Sequence, residues 1–147
     1  MDIYATLKKD HRNVATLMEK VLSTRDAGQR EEIFREISKA LTSHAEAEEA
    51  TFYDSLKYAS ETEESIEFAQ EDQNEIKEYL HKLSSLSADS EKWIELFGEF
   101  KQAVEHHVKD EEERIFPHAK HVLSEERANA LGKEMQKREK EAMGEAA

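Results

Sequence analysis

The chain has 147 residues, and 21 Lys and Arg stand against 34 Asp and Glu, which gives a formal net charge of −13. This length suits one domain, the charge opposes binding to a nucleic-acid backbone, and the lack of cysteine excludes disulfides, iron–sulfur clusters and thiolate zinc sites. No apolar run of about 18 residues and no apolar stretch after Met1 occurs, so we expect no membrane span, no signal peptide and a cytoplasmic location.

Four apolar stripes with helical spacing follow one another along the chain, although its mean hydropathy is −0.87. The first stripe runs from Tyr4 to Val21, and Asp2 is its candidate N-cap. The second stripe runs from Phe34 to Ser55, and Asp26 with Gln29 resembles a capping box before it. Both stripes predict long amphipathic helices.

The second half of the chain repeats this arrangement. The third stripe runs from Ala69 to Leu83, with Ser60 and Glu63 as a candidate capping box. The fourth runs from Trp93 to Glu111, with Ser90 as its candidate cap and an expected helix end near Pro117. These segments predict a second helical pair.

A weaker amphipathic segment from Ser124 to about Glu141 predicts a fifth helix on the outside. Because the connections are short, the predicted fold is all-α, an up-down-up-down four-helix bundle with a short C-terminal extra helix. We expect the bundle to cover residues 1–120 and a C-terminal helical extension to cover 121–147. The last part of that extension, 141–147, is predicted to be frayed.

Six polar side chains occupy stripe positions that the spacing assigns to the bundle interior. They are His11, His44, Glu48, Gln73, His107 and Glu111. Buried ionisable groups are costly unless they are paired or bound to metal. Imidazoles and carboxylates converging from several helices therefore predict a metal-ion site, and they favour iron, manganese or zinc over calcium or magnesium. The alternative is a hydrogen-bonded polar network without metal.

The spacing of these residues repeats between the two halves of the chain. His44 with Glu48 and His107 with Glu111 both form His-x-x-x-Glu, which places each pair on one helix face. His11 precedes His44 by 33 residues, and Gln73 precedes His107 by 34. The repeat predicts a site between the halves with pseudo-two-fold symmetry, suited to two divalent or trivalent metal ions that carboxylates can bridge.

These residues resemble the hemerythrin-like HHE cation-binding family over about residues 2–120. The third-helix segment Glu71-Asp72-Gln73-Asn74-Glu75-Ile76-Lys77 looks like that of the family with Gln73 in place of its histidine. The other matching motifs are Asp10-His11, His44-x-x-x-Glu48-Glu49 followed by Phe52-Tyr53, and His107-x-x-x-Glu111-Glu112-Glu113 followed by Ile115-Phe116-Pro117.

The resemblance implies a non-haem di-iron centre that can meet O₂, nitric oxide or peroxide. The ligands it implies are His11, His44, Glu48, His107 and Glu111. Gln73 is a neutral and weaker ligand than imidazole, so we expect one ion to be held loosely, with Gln73 either ligating it or hydrogen-bonding to a bound water. Oxygen carriers of the family have a second histidine where this chain has Lys77, so reversible O₂ transport is not the expected function.

Three functions stay open at this point. The first is a di-iron protein that senses or binds O₂, nitric oxide or peroxide, or that aids iron handling. The second is a redox enzyme, for example one that decomposes peroxide, although no acid–base group beyond the ligand set is recognisable. The third is a degenerate single-metal or metal-free bundle that acts as a structural or interaction module. The expected partners are a small diatomic ligand or peroxide, with no nucleic acid and no membrane; no protein partner is indicated.

Four further side chains are assigned ordinary roles. His106 is expected in solvent, because it is one residue from His107 and about 100° round the helix. His118 and His121 are expected to form a solvent-facing pair at i, i+3. Tyr4 lies two turns before His11 on the same stripe and is assigned to the core rather than to the edge of the site.

Overall fold

The chain folds as a four-helix bundle with a fifth helix along its side, in a computed structural model that describes residues 1–144. The five main helices are α1 (Ile3–Ser23), α2 (Ala27–Glu48), α3 (Glu63–Ser84), α4 (Glu91–Asp110) and α5 (Glu125–Ala142). α2 and α4 continue through π-helical turns, Glu49–Tyr53 and Glu111–Ile115, into the α-helical segments Asp54–Leu56 and Phe116–Val122. No strand occurs in this part of the chain. The predicted all-α bundle with a C-terminal extra helix is confirmed.

Three of the four candidate capping residues, Asp2, Asp26 and Ser90, accept a hydrogen bond from the first turn of their helix. The Asp2 carboxylate accepts a hydrogen bond from the backbone N–H of Ala5, and the Ser90 hydroxyl accepts one from Trp93. Asp26 caps α2 through the N–H of Gly28, but Gln29 does not complete a capping box. Its side-chain oxygen instead accepts a hydrogen bond from the Thr24 hydroxyl at 2.7 Å.

The predicted capping box at Ser60 and Glu63 is wrong. α3 begins at Glu63 itself, and the residue before it, Thr62, makes no side-chain cap. The buried Thr62 hydroxyl donates to the carbonyl oxygen of Leu56 at 2.8 Å. It therefore fastens the connection between α2 and α3 rather than the first turn of α3.

The predicted helix end near Pro117 is also wrong, because the chain stays helical to Val122. The π-helical turn Glu111–Ile115 closes just before this residue, so Pro117 falls in the first turn of the α-helical segment Phe116–Val122. In the first turn of an α-helical segment the backbone N–H has no partner within that segment, so a proline, which has no N–H, is tolerated there. The helix therefore continues past it.

The apolar core consists of two clusters along the bundle axis. In α1, Ile3 to Leu7 belong to one cluster and Val14 to Val21 to the other, with His11 between them. The first cluster includes Tyr4 and Phe52, and the second includes the stacked rings of Trp93 and Phe97. The core role predicted for Tyr4 is confirmed, since its ring packs edge-on against Phe52.

α5 packs against α1 and α2 and closes the first cluster from outside. Leu131 and Met135 are buried there, and Gly132 lies against the backbone at the start of α1. Of the segment predicted to fray, Glu141 and Ala142 are helical, whereas 145–147 lies outside the described residues. No helix within residues 1–144 is both long and apolar enough to cross a bilayer.

Candidate metal centre

The six polar residues that the stripes place inside the bundle lie together between the two apolar clusters. None is more than 9% exposed, and both carboxylates, Glu48 and Glu111, are fully buried. α1 contributes His11, α2 contributes His44 and Glu48, α3 contributes Gln73, and α4 with its π-turn contributes His107 and Glu111. The layer is therefore built from all four helices of the bundle.

Two groups of possible ligand atoms occur within this layer. In the first group, one atom each of His11, His44 and Glu111 lie within 4.8 Å of one another. In the second, the same holds for Glu48, His107 and Glu111. Glu111 belongs to both groups, with Oε1 3.2 Å from His11 Nε2 and Oε2 3.6 Å from His107 Nε2. Its carboxylate thus spans the two positions.

Acidic side chains hold the outer nitrogen of each histidine. Nδ1 of His11 is 2.6 Å from Glu112 Oε2, and Nδ1 of His44 is 2.8 Å from Asp10 Oδ2. His107 Nδ1 faces Asp72 at 3.6 Å, the distance of an ion pair. These contacts direct all three Nε2 atoms towards the centre, as carboxylates do behind metal-bound histidines.

Four buried atoms at the centre have no hydrogen-bond partner in the described structure: Nε2 of His11, Nε2 of His44, Oε2 of Glu48 and Oε1 of Glu111. Buried polar atoms are normally satisfied, so an unpartnered group of lone-pair donors needs an explanation. All four are nitrogen or oxygen atoms of the types that metal ions take as ligands. The donors present therefore fit a metal cation.

Gln73 and Tyr53 border the second group. Gln73 Nε2 donates to Glu48 Oε1 at 2.8 Å, which turns its amide N–H towards the carboxylate. The Tyr53 hydroxyl donates to Glu111 Oε2 at 2.6 Å and lies 3.4 Å from His107 Nε2. The first group has no phenol, so the two halves of the centre differ.

Sequence reasoning missed Tyr53 as a residue of the site. In an unbroken α-helix, residue 53 would lie off the stripe that carries His44 and Glu48. The π-helical turn Glu49–Tyr53 changes this register, and Thr51, Phe52 and Tyr53 are all buried in succession. Asp10 and Asp72, which contact His44 and His107, were also missed as residues of the site. The repeat did contain a signal for them, because Asp10 precedes His11 as Asp72 precedes Gln73.

Burial and close charges shift the pKa values of the ionisable groups in this layer. Burial and the neighbouring charge of Glu111 raise the pKa of Glu48 to about 7. Burial opposes ionisation of Glu111 as well, but the neighbouring His11 and the charge of His107 hold its pKa well below the usual value. Burial also disfavours the charged form of His44, yet Glu48 and Asp10 raise its pKa well above 6.5.

α5 adds a carboxylate at the edge of this layer. One oxygen of Glu139 lies within 4.8 Å of ligand atoms of both Asp10 and His44. Partial burial and a hydrogen bond with Asp10 raise the pKa of Glu139 to about 8. Away from the layer, His106, His118 and His121 are exposed, as predicted.

A helical bundle with a buried layer of histidines and carboxylates defines a class of metal-binding proteins. A family model for the hemerythrin HHE cation binding domain matches residues 2–119 of the chain. The chain therefore belongs to the hemerythrin HHE cation-binding domain family, and it has His and Glu groups that could hold a metal ion.

Two curated proteins and one solved structure are similar to the chain. It is 29% identical over 126 residues to a DNA nickase of Nostoc sp. and 29% identical over 122 residues to an uncharacterized hemerythrin-like protein of Schizosaccharomyces pombe. The matches cover 86% and 80% of this chain, which spans only 36% and 59% of those relatives' lengths. A crystal structure of a hemerythrin HHE cation-binding domain protein from Mycobacterium kansasii has a TM-score of 0.88 at 22% identity, over 99% of this chain and 90% of that one. This likeness shows a shared fold.

Proposed function

We propose that the buried layer holds two non-haem iron ions, with Glu111 placed to serve both, and that this centre binds or reacts with O₂, nitric oxide or peroxide. The observation that carries the proposal is the pair of donor groups that share the Glu111 carboxylate. Bound iron would supply an open coordination position and redox chemistry for a small oxidant. The expected partner is therefore a diatomic molecule or peroxide.

The residues divide into two unequal halves under this proposal. His11 and His44 serve the first ion, His107 and Glu48 serve the second, and Glu111 serves both. Gln73 lies beside the second position, and its amide N–H donates to Glu48. Its neutral amide oxygen is a weaker metal ligand than an imidazole nitrogen. We therefore expect the second ion to be held less tightly than the first.

Iron is the proposed metal, with manganese and zinc as the other candidates. Imidazole and carboxylate ligands suit all three metals, and the resemblance to the hemerythrin-like family favours iron among them. Lys77 is exposed and contributes nothing to the centre. This supports binding, sensing or reaction with a small oxidant rather than reversible O₂ transport.

Metal analysis of protein purified without chelators tests the proposal. After dialysis we expect two iron ions per chain, with one of them lost first as dialysis continues. A stoichiometry of one would reduce the site to a single-metal centre on the His11 side. No retained transition metal would contradict the proposal and favour a metal-free structural or interaction module. The Glu111→Gln variant should lose both ions, whereas His106→Ala should retain them.

Peroxide decomposition is a second candidate, and the buried Tyr53 hydroxyl favours it. This phenol holds a proton 2.6 Å from Glu111, at the edge of the proposed metal position. Burial and the charges of Glu111 and Glu48 hold the pKa of Tyr53 well above its usual value, so the phenol keeps its proton and would orient peroxide by hydrogen bonding. Two peroxide molecules would then give two of water and one of O₂ at the metal. Oxygen evolution from hydrogen peroxide by iron-loaded protein would support it, and no evolution above free iron would exclude it.

The similarity to a DNA nickase does not extend nicking to this chain. The chain spans 36% of that relative's length, so the activity in that relative's name is not carried over to this chain. A net charge of −13 also disfavours contact with the phosphate backbone.

A further inference from the structure

A second group of possible ligands lies on the surface, at residues that the buried layer does not use. Nδ1 of His121 is 2.7 Å and Nδ1 of His118 is 3.0 Å from the same oxygen, Oε2 of Glu61. Both histidines lie on the segment Phe116–Val122 that extends α4, and Glu61 lies in the connection between α2 and α3. The i, i+3 spacing predicted a solvent-facing pair of histidines. It gave no sign of Glu61, which is 57 residues from the nearer one.

The geometry of these three side chains suits a small divalent cation. Their ligand atoms all lie within 4.8 Å of one another. Nitrogen and oxygen ligands of tetrahedral zinc lie about 2.0–2.1 Å from the metal, so neighbouring ligand atoms are about 3.4 Å apart. The two measured distances to Glu61 need to open by less than 1 Å, and all three side chains are exposed enough to move.

The tautomer of the two rings decides whether an N–H or a nitrogen lone pair faces Glu61. In the absence of metal, both contacts require each ring to carry a proton on Nδ1 and to direct it at one carboxylate oxygen. With the protons on Nε2, two nitrogen lone pairs would face a carboxylate. Within residues 1–144, Glu61 forms no ion pair with Lys or Arg that could offset its charge. A metal ion would satisfy the three donors at once.

We propose that Glu61, His118 and His121 form a surface site for Zn²⁺, with three protein ligands and a fourth position open to water. Two imidazoles and one carboxylate are ligands that zinc takes in sites with an open position. The ion would join the α2–α3 connection to the extension of α4. None of its ligands belongs to the buried layer, so the site is independent of the proposed iron centre.

Equilibrium dialysis of the full chain against Zn²⁺ tests this site. The variants Glu61→Gln, His118→Gln and His121→Gln should each bind one Zn²⁺ fewer than the parent protein, or bind that ion at least tenfold more weakly. His106→Gln is the matched control, since it removes an exposed histidine of α4 outside the cluster, and it should bind as the parent does. Equal zinc binding by the parent and the three variants would overturn the proposal.

Nitrogen NMR of the imidazole rings gives a second readout that does not depend on counting ions. Zn²⁺ should shift the Nδ1 resonances of His118 and His121 together. In the Glu61→Gln variant, both shifts should require an at least tenfold higher Zn²⁺ concentration. Because coordination through Nδ1 leaves the ring proton on Nε2, both rings should carry an Nε2–H when Zn²⁺ is bound. A proton that stays on Nδ1 at saturating Zn²⁺, or a response at only one of the two rings, would contradict the proposed coordination.

Discussion

At the scale of single residues, Gln73 makes the two halves of the buried layer unequal. It occupies the position in α3 that His11 occupies in α1, and it offers an amide where the other half offers an imidazole. The Gln73→His variant should tighten the second ion, because imidazole is the stronger ligand for iron. We expect slower iron loss in dialysis and an altered absorption spectrum of the oxidised protein, with an altered response to azide or peroxide.

The control for this variant is His106→Ala, which should leave iron retention and spectrum as they are. Gln73 is 9% exposed and hydrogen-bonded to Glu48, so a histidine there is placed at the centre rather than in solvent. If Gln73→His changed neither metal content, spectrum nor reactivity, residue 73 would have no part in holding a metal.

Tyr53 is the other residue that distinguishes the second half. The Tyr53→Phe variant removes the hydroxyl that donates to Glu111, which should lower the unfolding free energy of the metal-free protein by about 2 kcal/mol. Urea unfolding measures this difference. Tyr58→Phe is the matched control, because Tyr58 is 85% exposed and should lose almost nothing. Equal losses in the two variants would contradict a structural role of the Tyr53 hydroxyl.

At the scale of elements, the two π-helical turns decide where sequence reasoning succeeds and fails. Up to Glu48 and Glu111 the helices are regular, so the 3-4 spacing predicted correctly which polar residues are buried. Beyond these residues the turns change the register, and the same spacing missed Tyr53 and misplaced the helix end at Pro117. π-turns have no simple sequence signal, although they occur often at functional sites.

Contacts between distant segments are the other part that the sequence did not predict. Glu61 meets His118 and His121 across the α2–α3 connection, and Glu139 of α5 reaches Asp10. Periodicity shows which face of a helix is buried, but not which polar residue of another segment stands opposite. The ligand candidates of the buried layer were predictable from spacing. The contacts of Glu61 and Glu139 became visible only in the folded structure.

The docking of α5 depends on a glycine. A Cβ at Gly132 would overlap the backbone of Met1, Asp2 and Ile3, so Gly132→Ala should force α5 away from α1. We expect the unfolding free energy to fall by about 1–3 kcal/mol, as overpacking typically costs. Gly98→Ala in α4 is the matched control, because nothing lies within 4 Å of its Cβ, and it should be neutral or stabilising. Urea unfolding of Gly132→Ala without loss would contradict this packing.

At the scale of the whole molecule, the polar layer makes stability depend on pH when metal is removed. Burial and acidic neighbours raise the pKa of Glu48 from 4.5 to about 7 and that of Glu139 to about 8. Despite burial, Glu48 and Asp10 raise the pKa of His44 above 6.5. The folded state thus holds protons that the unfolded state releases, so stability falls as pH rises through this range.

The melting temperature of the chelated protein should therefore decrease from about pH 5 to about pH 8. Glu111 acts in the opposite direction at lower pH, since its lowered pKa contributes stability above 4.5 that is lost as pH falls below it. Calorimetry that extends from below pH 4.5 to about pH 8 measures both effects. The melting temperature of iron-loaded protein should fall less between about pH 5 and about pH 8, because bound metal takes the place of the protons on the ligand groups. A melting temperature of the chelated protein that rises with pH would contradict this account.

The location of bound iron tests the central claim most directly. Anomalous diffraction at the iron edge, from crystals of protein purified without chelators, shows where the metal binds. We predict two peaks between the apolar clusters, one beside His11 and His44 and one beside His107, with the Glu111 carboxylate between them. Iron peaks only elsewhere in the molecule, or no iron peak in this layer, would contradict a buried two-iron centre.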